Sequence, residues 1–193
     1  PVLLAQVPGE ITCTSPGLTS QAQNLSLPGT FTYNWTATNG GHIVSGMNML
    51  TPAIDHGGDY TLVSTNTANG CSSSFSLNIV QNNTPPSADA GTDATLTCNL
   101  NSLTINGSGT GASNLSYNWT ASGGGNITSG ANTQNAVVDA PGTYTLTVTN
   151  PDNGCTFSDA VEIFNDANTP AANAGTAPLL TCTLTQTALS GSG

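Results

Sequence analysis

Pro141-Gly142-Thr143-Tyr144-Thr145-Leu146-Thr147-Val148-Thr149-Asn150 carries the clearest strand pattern in the chain. Apolar and small polar residues alternate strictly after a Pro-Gly turn, which is the period-two pattern of a strand with one face buried. The stretch is also a copy. Gly58-Asp59-Tyr60-Thr61-Leu62 precedes Gly142-Thr143-Tyr144-Thr145-Leu146 by 84 positions, and Asn34-Trp35-Thr36 precedes Asn118-Trp119-Thr120 by the same interval. Asn69-Gly70-Cys71 returns as Asn153-Gly154-Cys155, and Cys13, Cys98 and Cys182 step along at that spacing, give or take one residue. Self-similarity at a fixed period means modules in series, so function is to be sought in an array as much as in one site.

Working outward, Ala94-Thr95-Leu96-Thr97, Ser102-Leu103-Thr104-Ile105, Leu115-Ser116-Tyr117-Asn118-Trp119 and Ala160-Val161-Glu162-Ile163 alternate in the same way. Gly107-Ser108-Gly109, Gly123-Gly124-Gly125 and Pro151-Asp152-Asn153-Gly154 separate them with turn chemistry. No helical period is present. About seven short strands in some 80 residues predict antiparallel β-sandwiches, an all-β chain of tandem immunoglobulin-like domains. Pro85-Pro86 and Thr169-Pro170 mark joints, because proline cannot extend a ladder. The expected units are residues 1–84, 85–168, and the opening strands of an incomplete third repeat over 169–193.

The 193 residues contain no Lys or Arg against ten Asp and Glu, a formal charge of −10. Nucleic-acid binding rests on cations that neutralise phosphates, so this class of partner is excluded. Anionic membrane surfaces are disfavoured for the same reason. No run of 18 apolar residues is present to span a membrane. Schiff-base chemistry, a P-loop and lysine isopeptide crosslinks are all ruled out, and trypsin has no cleavage site.

Placed on the repeat, Cys13 and Cys71 fall in the first copy and Cys98 and Cys155 in the second. This placement predicts Cys13–Cys71 and Cys98–Cys155 disulfides, one per domain, with Cys182 left unpaired in this fragment. Each would close a loop of roughly 60 residues and stabilise its module by about 4 kcal/mol. Free buried cysteines are the alternative. Metal ligation is less favoured, since no C-x-x-C pair occurs. Disulfides imply export to an oxidising compartment.

Ala88-Asp89-Ala90-Gly91-Thr92-Asp93, Leu103-Thr104-Ile105-Asn106-Gly107-Ser108-Gly109, Tyr117-Asn118-Trp119 and the opening stretch resemble, in order, a polycystic-kidney-disease (PKD-type) immunoglobulin-like domain. Trp119-Thr120-Ala121-Ser122-Gly123 departs from that family's frequent Trp-x-Phe-Gly-Asp-Gly turn. Cysteine-stapled repeats of this kind are similar to those of very long secreted surface proteins of bacteria, particularly gliding and adhesive Bacteroidota. The resemblance implies extracellular spacer or adhesion modules with no catalytic residues to carry over.

The residues agree with that implication. Trp35 and Trp119 lie mid-strand and read as core fillers. Tyr60 and Tyr144 resemble tyrosine corners whose hydroxyls satisfy nearby backbone. Asp55 and Asp139 recur five residues earlier and read as caps on turn N–H groups. His42 and His56 do not recur, and the carboxylates are too scattered to nominate a glycosidase pair. Calcium wants six to eight oxygens, and the joints offer Asp89, Asp93 and Asp166 with Asn165 and Asn168 as weak candidates. No D-x-D-x-D-G loop accompanies them. No cofactor other than calcium is expected.

Two functions are carried forward. The chain reads as a non-enzymatic spacer of an extracellular cell-surface adhesin, whose partners are neighbouring repeats or a surface glycan or protein bound through domains elsewhere. The alternative is a subunit of a self-assembling filament that pairs the 169–193 strands with an identical subunit, by strand donation. A carbohydrate-binding module would need exposed aromatics beyond those the core uses.

Overall fold

Residues Gly142–Thr149 form an eight-residue strand whose inward positions Tyr144, Leu146 and Val148 are wholly buried while the threonines between them are partly exposed. The structure, a computed structural model, describes residues 1–6, 9–26, 28–166, 170–176 and 179–193. Among these, every regular element is a strand.

The first sandwich contains β1 (Leu3–Gln6), β2 (Ile11–Thr12), β3 (Leu18–Thr19), β4 (Gln21–Asn24) and β5 (Phe31–Thr38). It continues with β6 (Ile43–Ser45), β7 (Ala53–Ile54), β8 (Gly58–Asn66), β9 (Ser72–Ile79) and β10 (Gln81–Asn82). The second comprises β11 (Ala94–Leu96), β12 (Leu103–Asn106), β13 (Ser116–Ser122), β14 (Ile127–Ser129), β15 (Asn135–Val138), β16 (Gly142–Thr149) and β17 (Thr156–Asn165).

In the second sandwich a β11-β17-β16-β13 sheet faces a β12-β15-β14 sheet. All pairings are antiparallel except β11 with β17, where Leu96 lies beside Asn165 and the strands run parallel. The first sandwich repeats the plan with β5-β8-β9 and β3-β7-β6, its β2 lying parallel to β10. This is an all-β architecture of immunoglobulin-like sandwiches in series.

Each sandwich has its own apolar core. Trp119, Tyr144, Leu146 and Val161 lead one, and Trp35, Tyr60, Leu62 and Ile79 the other. Both tryptophans donate from Nε1 to a backbone carbonyl, Trp35 to Met49 at 2.9 Å and Trp119 to Gln134 at 3.2 Å. The tyrosine hydroxyls are used as the corner motif requires. Tyr144 donates to Ala140 O at 2.6 Å and accepts from Asn126 N at 2.9 Å, and Tyr60 treats His56 O and His42 N alike.

The two cores differ at several inward positions, and at two of them, Ser20 and Ser64, the first sandwich buries a hydroxyl where the second has Ile105 and Val148. Neither hydroxyl finds a partner among the described residues. An unpaired buried hydroxyl costs roughly 1–3 kcal/mol. Replacing Ser64 with valine is therefore expected to stabilise the first sandwich by about 1–2 kcal/mol in urea melts followed by Trp35 emission. A destabilised variant would mean that Ser64 has a polar partner after all.

Residues 170–193 begin the same plan a third time. Asn173 bridges Ser192 as Asp89 bridges Ser108, and Thr181 N donates to Leu184 O as Thr97 N does to Leu100 O. Leu180 and Leu189 occupy the places of buried Leu96 and Ile105 but are exposed. Asn168 and Thr169, invoked above for calcium and for a joint, lie outside the described residues.

Candidate functional site: the joint between sandwiches

The expected disulfides are not formed. The bonded pair is Cys13–Cys155, joining the two sandwiches across a sequence separation of 142 with a Cα–Cα distance of 5.0 Å. Cys71, Cys98 and Cys182 are free and exposed. The reason lies in the parallel pairing. Cys98 follows β11 past Leu96, which sits beside Asn165 at the end of β17, whereas Cys155 stands just before Thr156 at its start. A ten-residue strand separates them by about 30 Å, far beyond the span a disulfide can bridge. Cys13 and Cys71 are held apart in the same way by β9 and β10.

Each sandwich therefore carries one cysteine at each pole. The cysteine after the short parallel strand faces the following module, and the cysteine of the last hairpin faces the preceding one. Series packing brings Cys13 of one kind to Cys155 of the other.

Around that bond the joint is built. Cys13 N donates to Asn153 O at 3.1 Å. The Asn153 side chain, 2% exposed, donates from Nδ2 to Asn82 Oδ1 at 3.1 Å and to Thr84 O at 3.0 Å. Its Oδ1 accepts from Cys155 N at 2.9 Å, which fixes the hairpin tip. Gly154 has φ +69 and lies so close to Thr14 that a Cβ would sit 2.2 Å from the threonine methyl. Only glycine meets both demands. Asn153 and Cys155 are thus buried at the joint by residues of the first sandwich and its linker.

Beside the joint is a hollow of about 360 Å³ that Cys13, Asp55, His56, Gln81 and Asn83 help to line. Asp55 does not cap backbone N–H groups as expected. Its Oδ1 lies 2.6 Å from His42 Nδ1 and 2.8 Å from His56 Nδ1. An ionised carboxylate only accepts, so both Nδ1 atoms carry hydrogen there. Asp139 likewise accepts from a side chain, Asn126 Nδ2 at 2.7 Å, in place of His42. Ala140 replaces His56, so the two-histidine group belongs to the first sandwich alone.

The donor atoms of His42, Asp55 and His56 lie within 4.8 Å of one another and could hold a metal ion. Two imidazoles and a carboxylate suit Zn²⁺ or another late first-row ion better than Ca²⁺. The hydrogen bonds from His56 and then His42 hold the Asp55 carboxyl below the usual carboxylate range, against an opposing effect of desolvation. A depressed pKa contributes stability that is present above the ordinary Asp value and lost as pH falls through the lowered one. Carboxyl-carbon NMR is expected to place the Asp55 midpoint below about 3.9, and His56→Ala to move it back up. An unmoved midpoint would remove the His56 hydrogen bond as the cause.

Asp89 Oδ1 accepts from Gly91 N, Asp93 Oδ1 accepts from Glu162 N, and Asp166 N donates to Leu96 O. Among the described residues these carboxylates do not form a cluster of three.

Sequence reasoning missed Asn153, the joint bond and the histidine pair. Once the parallel pairing is known, a cysteine directly before a long strand and another after its parallel neighbour must sit at opposite poles, but no sequence pattern announces that pairing.

Parallel edge strands, two facing sheets, a core tryptophan and a tyrosine corner define PKD/Ig-like sandwiches in tandem. Residues 85–164 match the model of the PKD-like domain family. No curated protein matches the chain by sequence. Among solved structures, the three N-terminal domains of the highly immunogenic outer capsid protein of bacteriophage RB49 align at 16% identity and a TM-score of 0.44. That alignment covers 84% of this chain and 58% of the phage chain. Extracellular domains 3–5 of Drosophila OTK align at 11% identity and TM-score 0.41, over 78% of this chain and 56% of theirs. The insect immune protein hemolin aligns at 15% and 0.38, over 78% and 43%.

Proposed function

We propose that the chain is a non-enzymatic spacer segment of an extracellular cell-surface adhesin, of the long secreted bacterial kind its repeats resemble. The observation that carries this reading is the joint. A spacer has to keep successive modules in line, and here a disulfide and three hydrogen bonds tie the first sandwich to the second. The disulfide supports an oxidising, extracellular setting. The absence of Lys and Arg over the whole chain supports resistance to trypsin-like proteases in that setting. The binding partner, a surface glycan or protein, would be engaged by domains elsewhere.

Negative-stain images of the oxidised chain, with mass from light scattering, test the reading. Monomeric two-bead rods of constant bend are expected, with the bend broadening after reduction. Regular fibres that disappear when residues 170–193 are deleted would overturn it in favour of the filament.

A further inference from the structure

Cys71 and Cys98 are each one half of a crosslink whose complete form is visible once, at Cys13–Cys155. The repeat makes Cys98 and Cys182 the counterparts of Cys13, and Cys71 the counterpart of Cys155. The two counterparts that meet in this chain are bonded to each other, across two modules and never within one. That bond is the observation that says what the remaining cysteines take.

The surroundings are equally matched. Cys13 lies within a turn in which Thr12 N donates to Ser15 O and Thr12 Oγ1 accepts from Ser15 N. Thr97 with Leu100 makes the same pair of bonds around Cys98, and Thr181 with Leu184 around Cys182. On the other side, Asn66 N donates to Cys71 O at 2.9 Å and Cys71 N to Asn69 Oδ1 at 3.0 Å, as Asn150 and Asn153 do with Cys155. Only the cover differs. Gly70 has φ +71 but nothing within 4 Å of a built Cβ, where Gly154 meets Thr14. Asn69 is exposed where Asn153 is buried.

We infer that Cys98 is the bonding position for the hairpin cysteine of the next repeat in series, and Cys71 for the turn cysteine of a preceding one. The partner is in each case a further repeat of this same type, for Cys98 the one that residues 170–193 open. The product is a relay in which every joint is closed by a disulfide from module i to module i+1, and no module carries a disulfide of its own.

The chemistry is thiol–disulfide exchange with a disulfide oxidant, either a small molecule or an oxidoreductase. The Cys98 thiolate attacks one oxidant sulfur and expels the other as a thiol. The hairpin thiolate then attacks Cys98 Sγ in the mixed disulfide and expels the second thiol. Two cysteines lose two electrons, and their two protons end on the two thiols released.

This inference goes beyond the spacer reading and concerns connectivity alone, so either can fail without the other. The test is the full chain followed by a second copy of residues 110–168 that completes the third module, with Thr156→Ser in the appended copy alone so that its hairpin peptide has a mass of its own. The purified protein is refolded with oxidised and reduced glutathione, alkylated, digested with chymotrypsin and Asp-N protease, and mapped by mass spectrometry. The expected result is a bond from Cys98 to the appended copy of Cys155, beside Cys13–Cys155, with only Cys71 and Cys182 alkylated. A bond from Cys182 to the appended cysteine, inside the third module, would overturn the relay, as would Cys98 remaining alkylated. Should the appended module not fold, Cys13→Ser in the 193-residue chain decides. Cys155 then stays a thiol if within-module pairing is barred, and a Cys98–Cys155 bond sinks the inference.

Discussion

Cys13→Ser is expected to lower the stability of both sandwiches, although the residue lies in only one. The Cys13–Cys155 bond closes a separation of 142 residues, and the loop-entropy estimate for a chain of that length is about 5 kcal/mol. Its distribution is uneven. With either sandwich unfolded alone, the unfolded loop is about 70 residues long and the crosslink opposes opening by about 4 kcal/mol. Whichever sandwich opens first thus meets nearly the whole effect, and the second adds less than about 1 kcal/mol. For a domain of this size, about 4 kcal/mol corresponds to at least about 15 °C in melting temperature. Trp35 and Trp119 are the only tryptophans, one per core, so their emission separates the two transitions in single-tryptophan variants. Both midpoints should fall in Cys13→Ser. Cys71→Ser and Cys98→Ser should leave both unchanged, since those thiols are exposed and free. A large loss in Cys71→Ser would restore pairing within the first sandwich.

The strands were legible because alternation and burial share a cause: a residue facing a core must be apolar at every second position. Tyr144, Leu146 and Val148 announce their face, and the corner tyrosines and core tryptophans fell where the repeat placed them. The cysteine pairing was not legible in the same way. Two cysteines per module invite a bond within it, and alternation carries no information about the direction in which β11 lies on β17. The parallel pairing puts the two thiols at opposite poles and hands each to a neighbour. The His42–Asp55–His56 group escaped for the opposite reason. Recurrence picks out what the scaffold needs, and Asn126 with Asp139 shows that the scaffold needs only one hydrogen bond there. His56 is the addition, and nothing in the second copy marks it.

Trp119→Ala has the second large effect, and its reach depends on the crosslink. Trp119 is 2% exposed at the centre of the second core, with Leu146 paired to it across the sheet. Removing a buried tryptophan side chain costs about 3–5 kcal/mol. A domain near 80 residues has only about 4–12 kcal/mol to lose, so the second sandwich is left close to its unfolding threshold. The first sandwich shares no core residue with it. With the Ser20 and Ser64 hydroxyls buried and unpaired, the first sandwich is the one expected to open first in the unaltered protein, so its Trp35 transition should shift downward in oxidised Trp119→Ala. Once the second sandwich opens first, it has already taken up the crosslink's main contribution, and the first keeps less than about 1 kcal/mol of it. In the Cys13→Ser background that route is gone, and Trp119→Ala should leave the Trp35 midpoint where Cys13→Ser put it. The double-mutant cycle between positions 13 and 119, read at Trp35, is therefore expected to show coupling of about 4 kcal/mol, with no contact between the two residues required. A Trp35 midpoint indifferent to Trp119→Ala in both backgrounds would mean that the disulfide ties the modules in space without linking their stabilities.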